Sequence, residues 1–146
     1  MILLALLLAF TAGIAMAFQG SLNTGLGKII GLLEATFIVH LVGLAILTAL
    51  LFLFRLGQGS LSKCGTAPWY LYLGGALGVV IIYAVVASMS RVGVAAATTA
   101  IIVGQMGTAL VLDHFGVFGL ERVPFSYLKV VGIILLAAGA RLMLVK

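Results

Sequence analysis

The sequence predicts an all-α polytopic membrane protein with five transmembrane helices. Of its 146 residues, 64% are hydrophobic and only 8% are charged, whereas soluble domains carry about 25% charged residues. So few charges cannot cover the surface of a water-soluble globule of this size. Apolar stretches of about 20 residues, each long enough to cross a bilayer, fill nearly the whole chain. This leaves no room for a soluble catalytic domain, and we expect a single transmembrane domain over residues 1–146.

Charges and turn-forming residues divide the predicted spans. No charge precedes Lys28, and the first apolar run lacks the basic segment of a signal peptide and exceeds the length of its hydrophobic region. It is therefore predicted to be the first span. Pro68 and Pro124 suit the first turns of the third and fifth helices, and the aromatic residues after Pro68 suit a membrane interface. The predicted spans are 2–22, 30–54, 68–89, 93–112 and 124–144.

The basic residues lie at the ends of the spans, which is typical of topology and headgroup signals rather than of nucleic-acid binding. An odd number of spans places the termini on opposite sides, and the eight basic residues then divide equally. Orientation follows the bias in Lys and Arg, and this chain has none. Three interpretations stay open: a weak fixed bias, dual topology with an antiparallel homodimer, or a separate inverted partner chain. The two groups are Arg55, Lys63, Arg122 and Lys129, and Lys28, Arg91, Arg141 and Lys146.

Small residues recur at helical spacing in two of the predicted helices. Such residues let helix backbones approach closely, which drives association where lipid removes the hydrophobic driving force. The pattern predicts tight packing, either within one chain or between two. The residues are Gly74 and Gly78 in the third helix, and Gly93, Ala97, Ala100 and Gly104 in the fourth.

Few uncharged polar side chains lie within the spans, and each has a structural and a functional interpretation. Gln19 and Asn23 are four residues apart and share a face of the first helix. They either cap the end of that helix or line a water-filled cavity. Gln105 lies deep in the fourth helix, where it either bonds to a neighbouring helix or lines the same cavity.

Glu34 and His40 are the ionisable candidates in the second helix. A carboxylate is favoured near a helix N-terminus, so Glu34 either offsets the helix dipole beside Lys28 or binds a proton or a cation. Ionisable residues within spans are functional candidates by default. His40 either bonds to a neighbouring helix or takes part in proton movement.

The segment that closes the fourth helix is interpreted as structural. Asp113, His114 and Gly116 predict a tight turn held by bonds between side chains and backbone. Elsewhere the sequence shows no Ser-His-acid spacing, no paired carboxylates, no phosphate loop and no metal-ligand spacing. Neither an enzyme, a cofactor nor a metal site is therefore predicted. The single cysteine, Cys64, excludes an internal disulfide.

Three motifs resemble one family. Gly104-Gln105 followed by Asp113-His114-Phe115-Gly116 and Pro124 resembles the signature of the YdcZ-like branch of the drug/metabolite transporter superfamily. The segments 19–23 and 68–78 are similar to that branch's first-helix and third-helix motifs. The resemblance covers nearly the whole chain and implies a five-helix half-transporter that pairs with an inverted half in the bacterial inner membrane. Small four-helix relatives rely on a glutamate in the first helix, which this chain lacks, so Glu34 is the alternative acid.

The sequence and the resemblance together predict transport of a small solute by a dimer through alternating access, with proton coupling as an option. The one weakly placed acid hints at a cationic solute. Two alternatives stay open: a scaffold or regulatory subunit that transports nothing, and a flippase for lipid-linked sugars. The predicted cavity residues are Gln19, Asn23, Glu34, His40 and Gln105.

Overall fold

The computed structural model describes residues 1–144 and has five helices long and apolar enough to cross a membrane. The described residues contain no β-strand. The predicted class, an all-α polytopic membrane protein, is confirmed. The helices are α1 (Ile2–Ile30), α2 (Leu32–Thr48), α3 (Leu73–Val92), α4 (Val94–Phe115) and α5 (Tyr127–Leu144).

Shorter helical turns extend two of the spans. A π-helical turn, Ala49–Leu53, continues α2, so that this span reaches Leu53. A 3₁₀ turn, Trp69–Tyr72, leads directly into α3. Between them lies a polar segment with a further 3₁₀ turn, Leu61–Thr66. The Tyr72 hydroxyl donates a hydrogen bond to the carbonyl oxygen of Cys64, which ties this segment to the start of the third span.

The chain divides into two compact units, Met1–Ser90 and Arg91–Lys146. In the first unit α1 packs against α2, and in the second α4 packs against α5. Both units expose large apolar side chains, such as Leu44 and Ile134, as a lipid-facing surface requires. The expectation of a single domain stays a prediction.

Helix α1 continues to Ile30, beyond the predicted end at residue 22. The hydroxyls of Ser21 and Thr24 donate to the backbone carbonyls of Ala17 and Gly20, at 2.8 and 2.7 Å. These polar side chains are thus satisfied inside the helix rather than breaking it. The stop comes at Gly31, where φ is +103° and ψ is 157°, a conformation that only glycine adopts readily.

A glycine with positive φ also separates α3 from α4. Gly93 has φ +88° and ψ 165°, close to the values at Gly31, and it alone connects the two helices. Gly93 is also the first residue of the predicted packing stripe. It lies at the junction that precedes α4, and its role in packing stays a prediction.

Glycines of α1 allow α3 to approach closely in the first unit. A Cβ built on Gly20 would lie 2.7 Å from Sδ of Met89, and one on Gly27 would lie 3.0 Å from Cγ1 of Val86. Small residues at this interface fit the general rule for helix packing in lipid. Around it lie the buried residues of the unit, which are Gly20, Asn23, Thr24, Ala35, Thr36, Val86 and Met89.

Helix α4 ends at a left-handed glycine. Gly116 has φ +61° and ψ 39°, and its N–H donates to the carbonyl of Leu112 at 2.9 Å. Such a residue commonly terminates a helix because it satisfies one of the last free carbonyls. This stop lies beyond the predicted end of the fourth span at residue 112.

The chain then returns to cover the end of α4. The N–H of Val123 donates to the carbonyl of Asp113 at 2.8 Å, and Nε of Arg122 donates to the carbonyl of His114 at 2.9 Å. The His114 ring stacks on Phe125, with ring centroids 4.4 Å apart. The turn is therefore held through the backbone carbonyls of Asp113 and His114.

Helix α5 begins at Tyr127, later than the predicted residue 124. Ser126 occupies the position before the helix, and its Oγ accepts the N–H of Lys129 at 3.3 Å. A serine in this place is a favoured helix N-cap because it satisfies one of the free N–H groups.

Substituting Gly116 is expected to destabilise the second unit. A Cβ at this position would lie 3.1 Å from the carbonyl oxygen of Leu120 and 3.3 Å from Cα of Arg122, and neither backbone atom can move aside freely. Because of these contacts and the left-handed φ, we expect Gly116→Ala to lower the free energy of unfolding by about 1–3 kcal/mol. Thermal unfolding of the purified protein in detergent measures this cost. The control is Gly132→Ala, since nothing lies within 4 Å of that added Cβ, and equal unfolding temperatures for the two variants would contradict the assignment.

Candidate functional site: a cavity on helix α2

A cavity of about 570 Å³ lies in the first unit, along α2 and bordered by α3 at Val79. Its volume falls in the range of small-molecule sites. Most of its lining is apolar, and its two ionisable side chains are Glu34 and His40. The lining residues are Leu33, Glu34, Thr36, Phe37, Ile38, His40 and Val79.

A hydrogen bond to the backbone determines which nitrogen of the His40 ring carries the hydrogen when the ring is neutral. Nδ1 of His40 lies 2.7 Å from the carbonyl oxygen of Thr36. A carbonyl oxygen only accepts, so Nδ1 carries the hydrogen and, in the neutral ring, the lone pair is on Nε2. Nε2 is directed at α3, where a Cβ built on Gly78 would lie 3.7 Å away. The imidazole therefore offers a hydrogen-bond acceptor beside the cavity.

Thr36 positions this imidazole, a role that the sequence analysis missed. Thr36 is 2% exposed, and its Oγ1 donates to the carbonyl of Leu32 at 2.9 Å. The acceptor for His40 is the backbone carbonyl of Thr36, which a residue of any type would supply at this position. No residue type in the sequence therefore signals this contact.

Glu34 lies in the first turn of α2, three residues after Gly31. A Cβ built on Gly31 would overlap Oε2 of Glu34 and lie 3.0 Å from its Cδ. The carboxylate therefore folds back over the glycine. The N–H of Gly31 donates to the carbonyl of Gly27 at 3.1 Å, so it is already engaged in a backbone bond. In the described part of the chain Glu34 forms no ion pair with Lys28.

The other predicted cavity residues lie elsewhere. Gln19 is exposed on α1, whereas Asn23 on the same helix is 7% exposed. Neither residue lines the cavity. Gln105 is exposed in the second unit. The structure thus brings together two of the five predicted residues, Glu34 and His40.

The residues predicted for helix packing differ in their surroundings. Gly78 faces His40, and Ala97 is 2% exposed in α4. Gly74, Ala100 and Gly104 are exposed. Their role in contacts between two chains stays a prediction.

Within residues 1–144 no group of three or more His, Cys, Asp or Glu side chains is arranged to hold a metal ion. The cavity instead combines a carboxylate, an imidazole acceptor and apolar walls. Both polar groups accept hydrogen bonds, and one of them is an acid. Chemically, the site suits a small molecule with an apolar body and a cationic or hydrogen-bond-donating group.

The fold and the cavity define a polytopic membrane protein with a pocket of solute size. Residues 4–142 match the family described as "Putative inner membrane exporter, YdcZ". The chain belongs to this family, and the resemblance seen in the sequence is confirmed. It is an integral protein of the inner membrane and a membrane transporter, which is not a class of enzyme. Searches of curated proteins and of solved structures gave no match.

Proposed function

We propose that the chain is one half of an exporter of small organic cations, and that the cavity on α2 is its binding site. The observation that carries the proposal is that Glu34 and His40 line one largely apolar cavity, in a chain whose family is described as an inner membrane exporter. Glu34 is exposed in the single chain, and an ionisable side chain within a span is by default a candidate for a pathway of ions or substrates.

The lining supports a cationic ligand with an apolar body. Glu34 supplies negative charge, and Nε2 of His40 supplies an acceptor. Phe37 is 65% exposed and offers a ring face to a cation within about 6 Å of its centroid. Leu33 and Ile38 complete an apolar wall for the rest of the molecule.

Proton coupling follows from competition for one carboxylate. Glu34 binds either a proton or a monovalent cation, and both occupied states are neutral, whereas the empty carboxylate is negatively charged and costly to move across the membrane. In alternating access, a proton carried in one direction is therefore exchanged for a cation carried in the other. Such an exchange gives export driven by the proton gradient.

A second, inverted copy completes the transporter in this proposal. The equal division of the eight basic residues supports insertion in both orientations. Inverted halves around a central site are a common transporter plan, and alternating access results from the rocking of one half against the other.

Efflux from proteoliposomes tests the proposal. The liposomes are loaded with a mixed panel of organic cations, amino acids and neutral sugars, and an inward proton gradient is imposed. We expect organic cations to leave faster than from protein-free liposomes, while the sugars stay inside. Mass spectrometry of the retained solutes measures both. No flux of any solute under any gradient would contradict transport and would favour a scaffold subunit.

A further inference from the structure

We infer that Gly31 is a positioning residue for the carboxylate of Glu34, which occupies the space that a side chain at position 31 would need. The importance of this position for ligand binding rests on the proposed function. The position of the carboxylate itself does not depend on that function.

The space over Gly31 is filled by Glu34 and by no other described side chain. The three nearest heavy atoms to a Cβ built there are Oε2, Cδ and Oε1 of Glu34, with Oε1 at 3.7 Å. A methyl group and the carboxylate cannot share this volume. Any residue other than glycine would therefore turn Glu34 into another rotamer.

The position over Gly31 also lies at the N-terminal end of α2. The first backbone bond of this helix runs from the N–H of Ala35 to the carbonyl of Gly31, at 3.0 Å. The N–H groups before Ala35 have no partner inside the helix, and their partial positive charge stabilises a carboxylate nearby. Because Gly31 has no side chain, the carboxylate of Glu34 has room to lie at this end of the helix.

This arrangement keeps the two polar groups of the cavity apart. Glu34 and His40 are six residues apart, which corresponds to about 9 Å along a helix axis. The space over Gly31 lies on the N-terminal side of Glu34, whereas His40 lies on its C-terminal side. A carboxylate folded back over Gly31 is thus turned away from His40 along the chain.

Gly93 provides a matched control in the same chain. It has nearly the same φ and ψ as Gly31, but nothing lies within 4 Å of a Cβ built on it. The variants Gly31→Ala and Gly93→Ala therefore share the backbone strain of a side chain at positive φ. They differ in whether the added methyl group displaces a carboxylate.

The test is the rate at which dicyclohexylcarbodiimide modifies Glu34 in the purified full-length chain in detergent. Peptide mass spectrometry follows the product, and Asp113 and Glu121 serve as internal references. We expect Glu34 in Gly31→Ala to react about two- to fivefold faster than in the unmodified chain, as for a carboxylate that leaves a helix N-terminus. Gly93→Ala is expected to leave the rate unchanged.

Equal rates in Gly31→Ala and Gly93→Ala would overturn the inference, whether or not the protein transports a solute. Absence of transport together with a selective rise in Gly31→Ala would remove the proposed function and leave the positioning role intact. If Gly31→Ala does not fold, Gly31→Asn decides, because asparagine is among the non-glycine residues found most often at positive φ and also places a Cβ in the space over Gly31. A faster reaction of Glu34 in Gly31→Asn supports the inference, and an unchanged rate contradicts it.

Discussion

Glu34→Gln is expected to abolish export of organic cations from proteoliposomes. Glutamine keeps the size of the side chain and remains suited to the first turn of a helix, so α2 is expected to insert and fold normally. It removes the negative charge from the only acid that lines the cavity. Neither a cation nor a proton is then held there, and the rate is expected to fall to that of protein-free liposomes.

The matched control for this substitution is Glu121→Gln. Glu121 is exposed in the segment between α4 and α5, so its charge loss is expected to leave export unchanged. Gel filtration and chemical cross-linking check that both variants have the same oligomeric state as the unmodified chain. Export at the normal rate by Glu34→Gln would exclude the coupling role of this residue.

About half of the molecules are expected to expose Cys64 to each side of the membrane, because the equal division of basic residues in the predicted topology predicts no preferred orientation. Cys64 is a free, exposed thiol in the 3₁₀ turn Leu61–Thr66, and the bond from Tyr72 holds its backbone. A membrane-impermeant thiol reagent, applied before and after permeabilisation of cells, measures the two fractions. No other cysteine is present to confuse the result.

Two further substitutions test whether the basic residues set the orientation of the chain. Arg55→Gln and Arg91→Gln each remove one basic residue, from opposite sides of the predicted topology. They are expected to shift the labelled fraction in opposite directions, while Cys64→Ser gives the background. Labelling of all molecules or of none would show a fixed orientation, and an antiparallel homodimer would give way to a pair with a separate inverted chain.

Composition and charge placement were enough to predict the five spans. The end of the first helix was not predictable in this way, because Ser21, Gly25 and Gly27 have the composition of a turn. In the structure the hydroxyl of Ser21 bonds back to its own helix, and Gly27 faces Val86 of α3. A segment that would break a helix in water is here the surface on which helices pack.

For the candidate site, residue type indicated which side chains are candidates, but the sequence did not indicate where those side chains lie in the fold. Glu34 and His40 stood out because ionisable groups are rare in spans, and both line the cavity. Gln19 and Asn23 were candidates for the same reason, since they are polar residues within a span, but neither lines the cavity. The sequence pattern does not show which face of α1 contacts α3. The proposed positioning role of Gly31 depends on the rotamer of Glu34, whose carboxylate folds back over the glycine. A rotamer cannot be inferred from the spacing of residues in the sequence.

The single-residue junction at Gly31 has a consequence for how the protein is made. Helices α1 and α2 pack together and have only one residue between them, so almost no chain entropy is lost in closing their connection. During synthesis the two spans are thus expected to enter the bilayer as one hairpin, since neither can turn over without the other. We therefore expect the orientation of these two spans to be set jointly rather than for each span separately.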